Sequence, residues 1–460
     1  MENKKIIKKS GLYLIGNLSS KILTSLLVPI YAFYVTSADL GTYDYSHTIM
    51  NILIPILFIS VWDAIIRFVL SEKNEREKEK AIASSAVFTC LMNAVILVCG
   101  LSIGFLFHAN DIIYLTLMIS AGSLAQIWQF YSRALGRNTV YVCASLGGTS
   151  INLGLNILLV CVAHIGLSAL YISFIIGQLC VFLIAECFVH VHKYIKRANF
   201  DIDILKRMLR FSAPLVANSI AMWLISGFGR TVIVNELGAS ENGLYSFANR
   251  FVNIVNVFGS VISMAILEEA MISLREKGFD DKYPQTIETL FRFFQSLILT
   301  AVPALVLFYN IFSATEYYES VHFLPILFLY AVFLTMATNL GVAFNVLNKT
   351  SIQFTTTILG AVITVAVSYS LITVIGIYGV LIGQCTGALS MMTARYLMIN
   401  RFVSFKIHWL PILIKMIIYL GSATLLTYSS LYINIFAFLL CALFALYDNK
   451  SLLIDLFNRK

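Results

Sequence analysis

The chain has 460 residues, of which 59% are hydrophobic and only 12% are charged, and its mean hydropathy is +0.84. Soluble proteins average nearer half apolar and a quarter charged residues, so this composition excludes a soluble enzyme, a disordered chain and a nucleic-acid-binding module. It predicts an all-α polytopic membrane protein, and the net charge of +8 then carries information on membrane topology.

Apolar runs separated by short polar breaks predict about 14 transmembrane helices, each needing about 20 residues. In chain order the predicted spans are 11–35, 43–70, 81–106, 113–134, 139–163, 168–190, 212–235, 243–267, 293–312, 323–347, 352–375, 378–399, 411–430 and 433–447. The first apolar run is longer than the core of a signal peptide and follows basic residues, which favours an uncleaved first span.

The distribution of cations predicts which loops face the cytoplasm. Of the 32 Lys and Arg residues, 27 lie in segments that this layout places on one side: 1–10, 71–80, 133–138, 191–210, 268–292, 348–351, 395–410 and 448–460. The opposite loops carry acids, namely Asp39, Asp111, Glu236, Glu241, Glu316 and Glu319. The positive-inside rule therefore puts both termini in the cytoplasm. The short outer loops leave no room for an enzymatic domain.

The start of the chain repeats in its middle at an offset of 202 residues, so that Gly41 and Tyr43 correspond to Gly243 and Tyr245. A second match at an offset of 210 sets Gly166 against Gly376. Six spans per copy give a parallel repeat, as in transporters built from two similar halves. We expect a six-helix bundle over 1–200, a second over 201–402, and an additional helix pair and tail over 403–460.

Two groups of polar residues within spans are candidates for substrate binding. Charges inside a span are costly and mark cavities or transport pathways. Lys21 lies near the middle of the first span, on one helix face with Asn17. The second group comprises Arg230 and the Arg250 stripe of the eighth span, whose amides are Asn249, Asn253 and Asn256. An alternative role for Arg230 and Arg250 is snorkelling, in which the charged head group reaches the outer membrane interface. An alternative role for the amides is hydrogen bonding between helices.

The secondary candidates lie within the second span, along a related polar stripe. They are Asn51, Asp63 and Arg67. Asp63 and Arg67 are four residues apart and can pair on one helix face, so a neutralised structural pair is the favoured interpretation. The eight cysteines and seven histidines show no ligand spacing. The sequence predicts no catalytic residues, metal site or cofactor.

Short motifs give the chain a family resemblance. They are Ser10-Gly11 and Asn17 after the basic start, the turn Leu40-Gly41-Thr42-Tyr43, and the second-half copies Phe211-Ser212-Ala213-Pro214-Leu215 and Gly243-Leu244-Tyr245-Ser246. In these motifs and in span number the chain resembles the Wzx-type polysaccharide flippases of the multidrug/oligosaccharidyl-lipid/polysaccharide exporter superfamily. The resemblance implies two six-helix bundles around a central cavity, with an additional C-terminal helix pair.

The resemblance also implies a function. Such flippases move undecaprenyl-diphosphate-linked oligosaccharide repeat units to the outer leaflet for O-antigen, capsule or exopolysaccharide synthesis. Expected partners are this lipid-linked oligosaccharide, membrane lipid, and a polysaccharide polymerase and chain-length regulator, with no nucleic acid. A peptidoglycan lipid-precursor flippase and a cation drug antiporter of the same superfamily remain open, and a membrane polymerase is disfavoured by the short outer loops. Lys21, Arg230 and Arg250 are expected to attract the diphosphate or an acidic sugar.

Overall fold

The computed structural model describes residues 27–70, 72, 74–196, 199–253, 282–347, 349–402 and 407–450. All of the regular structure in these ranges is helical. The predicted all-α polytopic fold is therefore confirmed. We number the principal helices in chain order: α1 Leu27–Tyr34, α2 Ser37–Leu57, α3 Val61–Leu70, α4 Glu75–Leu106, α5 Asn110–Ala134, α6 Asn138–Val162, α7 Leu167–Val189, α8 Ile202–Ser226, α9 Phe228–Leu237, α10 239–253, α11 Lys282–Tyr309, α12 Leu324–Val346, α13 Thr350–Ile375, α14 Ile377–Ile399, α15 Trp409–Thr427 and α16 Leu431–Asp448.

Within the described ranges, 11 helices are long and apolar enough to cross a membrane, or 12 when α2 and α3 are counted as one bent span. The remaining predicted spans are 11–35 and 243–267, and both lie largely outside the described residues. Many large apolar side chains are exposed, most clearly along α15 and α16. Exposed apolar side chains of this kind are solvated well by the lipid of a bilayer and poorly by water.

The predicted span 43–70 is a bent pair and not a single straight helix. Its two helices, α2 and α3, meet at an angle of 51°. The break comes where Ile59 and Ser60 adopt left-handed backbone angles, with φ of 50° and 46°. The amide of Ser60 donates to the carbonyl of Pro55, which closes the end of α2. Glycine usually occupies such a left-handed position, and its absence here hid the break in the sequence.

The predicted span 212–235 also differs from what the structure contains. Helix α8 begins at Ile202 and ends at Ser226, and the chain turns at Gly227 before α9 begins. The start of α8 is capped by Asp201, whose carboxylate accepts the amides of Asp203 and Ile204. Asp201 also pairs with Lys80 on α4, 3.1 Å away, and these hydrogen bonds hold the pKa of its carboxyl below the ordinary value.

The chain forms two compact units, one comprising 1–35 and 42–223 and the other comprising 36–41 and 224–460. The first unit contains a close crossing of α6 and α7 in which Gly148 faces Gly177, so that a Cβ on Gly148 would lie 2.6 Å from the Gly177 carbonyl oxygen. The second unit contains the same device, because a Cβ on Gly360 of α13 would lie 3.0 Å from the Gly387 carbonyl oxygen of α14. Small residues of this kind let membrane helices pack backbone to backbone.

The second helix of each crossing begins in the same way in the two units. Both α7 and α14 have 23 residues, and they follow Gly166 and Gly376 with φ of 71° and 58°. Only glycine adopts these angles readily. The match at an offset of 210 residues is therefore visible as one repeated local structure. The predicted domain limits at residues 200 and 402 stay predictions.

Candidate functional site

Three of the candidate residues, Asn17, Lys21 and Asn256, lie outside the described residues. Their predicted roles stay predictions. The other seven candidates are described, and the structure brings only some of them into polar surroundings.

Arg230 lies on α9 in the second unit and is half-buried. Its guanidinium carbon is 5.5 Å from the centre of the Tyr245 ring on α10, a cation–π distance. Because α9 begins directly after Gly227, Arg230 lies in its first turn. The aromatic face partly replaces the solvation that the cation loses in an apolar environment.

Tyr245 is fixed from its other end by α14. It is 1% exposed, and its hydroxyl donates to the Oε1 of Gln384 at 3.1 Å. Gln384 is fully buried. Gly229 makes room for it, since a Cβ on that glycine would lie 2.7 Å from Val380 and 2.9 Å from the Gln384 Nε2. Arg230, Tyr245 and Gln384 therefore form a chain of contacts across three helices of one unit.

Gln384 was not among the predicted site residues. It stands in the stretch Gly383-Gln384-Cys385-Thr386-Gly387 with no repeated polar spacing around it. A single amide in an apolar span is the only signal that the sequence offers there.

The polar stripe of α10 is graded in exposure. Ser246 is fully buried, Asn249 and Arg250 are half-buried, and Asn253 is exposed. A different face of α10 carries Phe247 and Phe251, which join an aromatic cluster with Tyr309, Phe312 and Tyr317. This packing fixes the rotation of α10, so the stripe is directed away from the aromatic cluster.

The secondary candidates are dispersed in the first unit. Asn51 is exposed and shares a hydrogen bond of 3.1 Å with His47 one turn earlier. Arg67 is exposed, and its guanidinium carbon lies 4.3 Å from the centre of the Phe211 ring. The expected ion pair of Asp63 with Arg67 is absent from the ion pairs formed by the described residues. The reason is local, because α3 widens to a π-helix from Ile66 and the four-residue spacing no longer superimposes the two side chains.

Gly41 and Gly243 were predicted to lie in outer turns, but the structure places them inside α2 and α10. There they form a close contact that the sequence repeat did not predict. A Cβ on Gly41 would lie 1.8 Å from the carbonyl oxygen of Ala239, and a Cβ on Gly243 would lie 1.9 Å from that of Ser37. All four residues belong to the second unit. Only glycine permits this backbone approach.

Glu316 holds the start of α2 beside this contact. Its carboxylate accepts the amide and the hydroxyl of Ser37, both at 2.7 Å, and the Ser37 hydroxyl also meets that of Ser240. Ser37 and Ser240 line a cavity of about 430 Å³ together with Glu241 and Glu319. Burial and the nearby Glu319 charge raise the pKa of Glu241 above its ordinary value. Glu316, one of the acids predicted to lie in an outer loop, therefore also has a structural role.

Arg395 is a buried cation that the cation count had assigned to the segment 395–410. It is 3% exposed and lies inside α14. Its guanidinium donates to four neutral oxygens, on Ala337 of α12 and on Gln353, Thr356 and Thr357 of α13. Arg395 therefore joins three helices of the second unit and is a structural residue.

Comparison with known protein families identifies the family of this chain. A model of the family described as "Polysaccharide biosynthesis protein" matches residues 6–267, which is more than half of the 460 residues. Among curated proteins, none matches by sequence.

Several solved structures share the fold. A lipid II flippase MurJ in an inward closed conformation aligns with a TM-score of 0.73 at 13% identity, covering 96% of this chain and 99% of that one. An inward-facing multidrug resistance MATE family transporter of the MOP superfamily aligns with a TM-score of 0.61 at 18% identity, covering 85% and 94%. A point mutant of the Vibrio cholerae MATE transporter VcmN aligns with a TM-score of 0.58 at 17% identity, covering 87% and 98%. At these identities the likeness establishes the fold.

Proposed function

The chain belongs to the polysaccharide biosynthesis protein family, and from that premise we propose that it is a flippase for undecaprenyl-diphosphate-linked oligosaccharide repeat units. It moves them from the cytoplasmic to the outer leaflet by alternating access. The product is a surface polysaccharide, namely O-antigen, capsule or exopolysaccharide.

One observation carries the choice of substrate. The half-buried cation Arg230 lies over the Tyr245 ring, and Tyr245 is bound to the buried amide of Gln384. Guanidinium groups provide charge-assisted donors for phosphate oxygens, and aromatic rings and amides are the groups that recognise sugars. A substrate with an anionic head group and a carbohydrate fits this set of side chains. Arg250, which is also half-buried, and Lys21 are the other two cations that we expect to attract the anionic head group.

The protein is a transporter and not an enzyme under this proposal. It needs no cofactor, and its site consists of binding groups. We place it in the bacterial inner membrane with both termini in the cytoplasm, because 27 of its 32 cations fall on one side of the predicted layout. Its partners are the lipid-linked oligosaccharide, membrane lipid, a polysaccharide polymerase and a chain-length regulator.

A second candidate function is flipping of a peptidoglycan lipid precursor. The observation that favours it is the likeness to the lipid II flippase MurJ over 96% of this chain. The two substrates share a lipid diphosphate, so the cations serve either one, and the sugar distinguishes them.

The test is deletion of the gene in its host, with analysis of surface polysaccharide and of lipid-linked intermediates. Loss of the polysaccharide, with intact sugar-diphosphate-lipid retained on the cytoplasmic face and recovery on re-expression, is the expected result. Accumulation of the peptidoglycan precursor would favour the second candidate. Unchanged polysaccharide together with new sensitivity to cationic drugs would overturn the proposal in favour of a drug antiporter.

A further inference from the structure

Gln384 is a buried amide in which only one of the two polar atoms has a hydrogen-bond partner. Its Oε1 accepts from the Tyr245 hydroxyl, whereas its Nε2 is buried with no hydrogen-bond partner. A buried donor left unpaired costs folding free energy, which an apolar side chain of the same shape would avoid. Such a group in a native structure calls for an explanation in terms of function.

The unpaired donor lies against the segment that carries Arg230. A Cβ on Gly229, the residue before Arg230, would lie 2.9 Å from the Gln384 Nε2. The cation Arg230 and the amide of Gln384 thus both contact a single tyrosine, Tyr245.

The internal repeat indicates that packing does not require these polar groups. The offset of 202 residues places Val28 at the position of Arg230, and the offset of 210 residues places Phe174 at that of Gln384. Both Val28 and Phe174 are buried in the first unit. The same repeated structure is therefore built there with apolar side chains at both positions.

We propose that Arg230 and Gln384 form an oxyanion subsite, with Tyr245 as the residue that positions both of them. The inference rests on the proposed function and specifies which substrate group the second unit binds. Guanidinium and amide N–H groups are donors only, so their ligand must supply acceptor oxygens, and the positive charge selects an anion. Phosphate oxygens of the lipid diphosphate and a carboxylate of an acidic sugar share this chemistry.

The test compares two buried glutamines of the same unit. Gln295 on α11 is 6% exposed, and its Nε2 donates to the carbonyl of Ile412 at 2.9 Å, so its role is structural. Gln384→Met and Gln295→Met are made in the full-length protein. Thermal unfolding is measured without ligand, and binding of undecaprenyl diphosphate is measured by native mass spectrometry, with glucuronate as the second probe.

We expect Gln384→Met to unfold at a lower temperature than wild type, because it leaves the buried Tyr245 hydroxyl without its acceptor, and to bind one of the two probes about tenfold more weakly. Gln295→Met should unfold at a lower temperature and bind both probes normally. Weakened binding of undecaprenyl diphosphate assigns the subsite to the diphosphate, and weakened binding of glucuronate assigns it to an acidic sugar. Unchanged binding of both probes by Gln384→Met, or an equal loss of probe binding in Gln295→Met, overturns the inference.

Two tyrosine variants test the positioning role. Tyr245→Phe keeps the ring beneath Arg230 and loses the bond to Gln384, whereas Tyr245→Leu loses both. Affinity should fall severalfold in the first variant and further in the second. Equal affinity of Tyr245→Leu and wild type would contradict positioning by Tyr245.

Re-expression in the deletion strain separates the two proposals. Failure of the wild-type gene to restore polysaccharide would overturn the flippase, while the binding measurements would still decide the subsite. Full restoration by wild type, with wild-type probe binding by Gln384→Met, would overturn the subsite alone.

Discussion

Gly41 and Gly243 each pack against the main-chain carbonyl that lies four residues before the other. Gly41 meets the carbonyl of Ala239, and Gly243 meets that of Ser37. Because residues 37 and 41 correspond to 239 and 243 at the repeat offset of 202, the contact is reciprocal between the two copies of one motif. The two helix glycines thus take part in a backbone contact that neither copy could form with a larger residue.

The first prediction concerns this contact. Gly41→Ala and Gly243→Ala should each lower the free energy of unfolding by about 1–3 kcal/mol, because a methyl group at either position overlaps a fixed carbonyl oxygen. The reciprocal geometry makes the two losses similar. Thermal unfolding in detergent measures them. Gly421→Ala is the control, since nothing lies within 4 Å of a Cβ there, and it should be neutral or stabilising.

The second prediction concerns Arg395. Arg395→Lys should cost about 2–4 kcal/mol of unfolding free energy, since a single ammonium cannot reach the oxygens that the planar guanidinium joins. The exposed Arg401 provides the matched control, for which Lys should cost less than about 0.5 kcal/mol. Equal unfolding temperatures for the two variants would show that the buried hydrogen bonds of Arg395 contribute little.

The third prediction concerns Arg67. In a double-mutant cycle, Arg67→Met and Phe211→Leu should show a coupling energy of about 0.5–1 kcal/mol, the range for a cation over an aromatic ring. The cycle of Arg67→Met with Asp63→Asn should be additive within about 0.5 kcal/mol. Strong coupling of Arg67 to Asp63, with none to Phe211, would contradict this prediction and support the ion pair predicted from the sequence.

The fourth prediction concerns pH. The pKa of Glu241 is raised in the folded state, so its charged form is disfavoured there and its contribution to stability falls as pH rises through that pKa. Glu241→Gln should therefore unfold at a higher temperature than wild type near about pH 7 and at a similar temperature near about pH 4. Gln at the exposed Glu236 is the control and should show no such pH-dependent gain. A gain of the same size at both pH values would contradict the assignment.

The sequence was sufficient for the parts of the fold that depend on hydropathy. In the described part of the chain, the spans predicted between polar breaks are helical, because a bilayer leaves the backbone no other way to pair its polar groups. The repeat was readable at Gly166 and Gly376, where a positive φ restricts the residue type.

What the sequence did not predict depends on contacts between distant positions. The bend after α2 is set by left-handed Ile59 and Ser60, residue types that give no warning of such angles. In the sequence, Arg395 cannot be distinguished from other cations at the ends of spans. Its structural role follows only from its neutral acceptors on α12 and α13. Gln384 is meaningful only beside Tyr245 and Gly229, which lie more than a hundred residues earlier in the chain.

The hydrogen bonds of the Arg395 guanidinium restrict how α12, α13 and α14 can move relative to one another. It takes its acceptors from α12 and α13 while belonging to α14, so sliding any one of these helices past the others would leave a cation unsolvated in an apolar layer. The three helices must then travel as one rigid body. Spin labels placed on α12, α13 and α14 should keep constant mutual distances throughout a transport cycle.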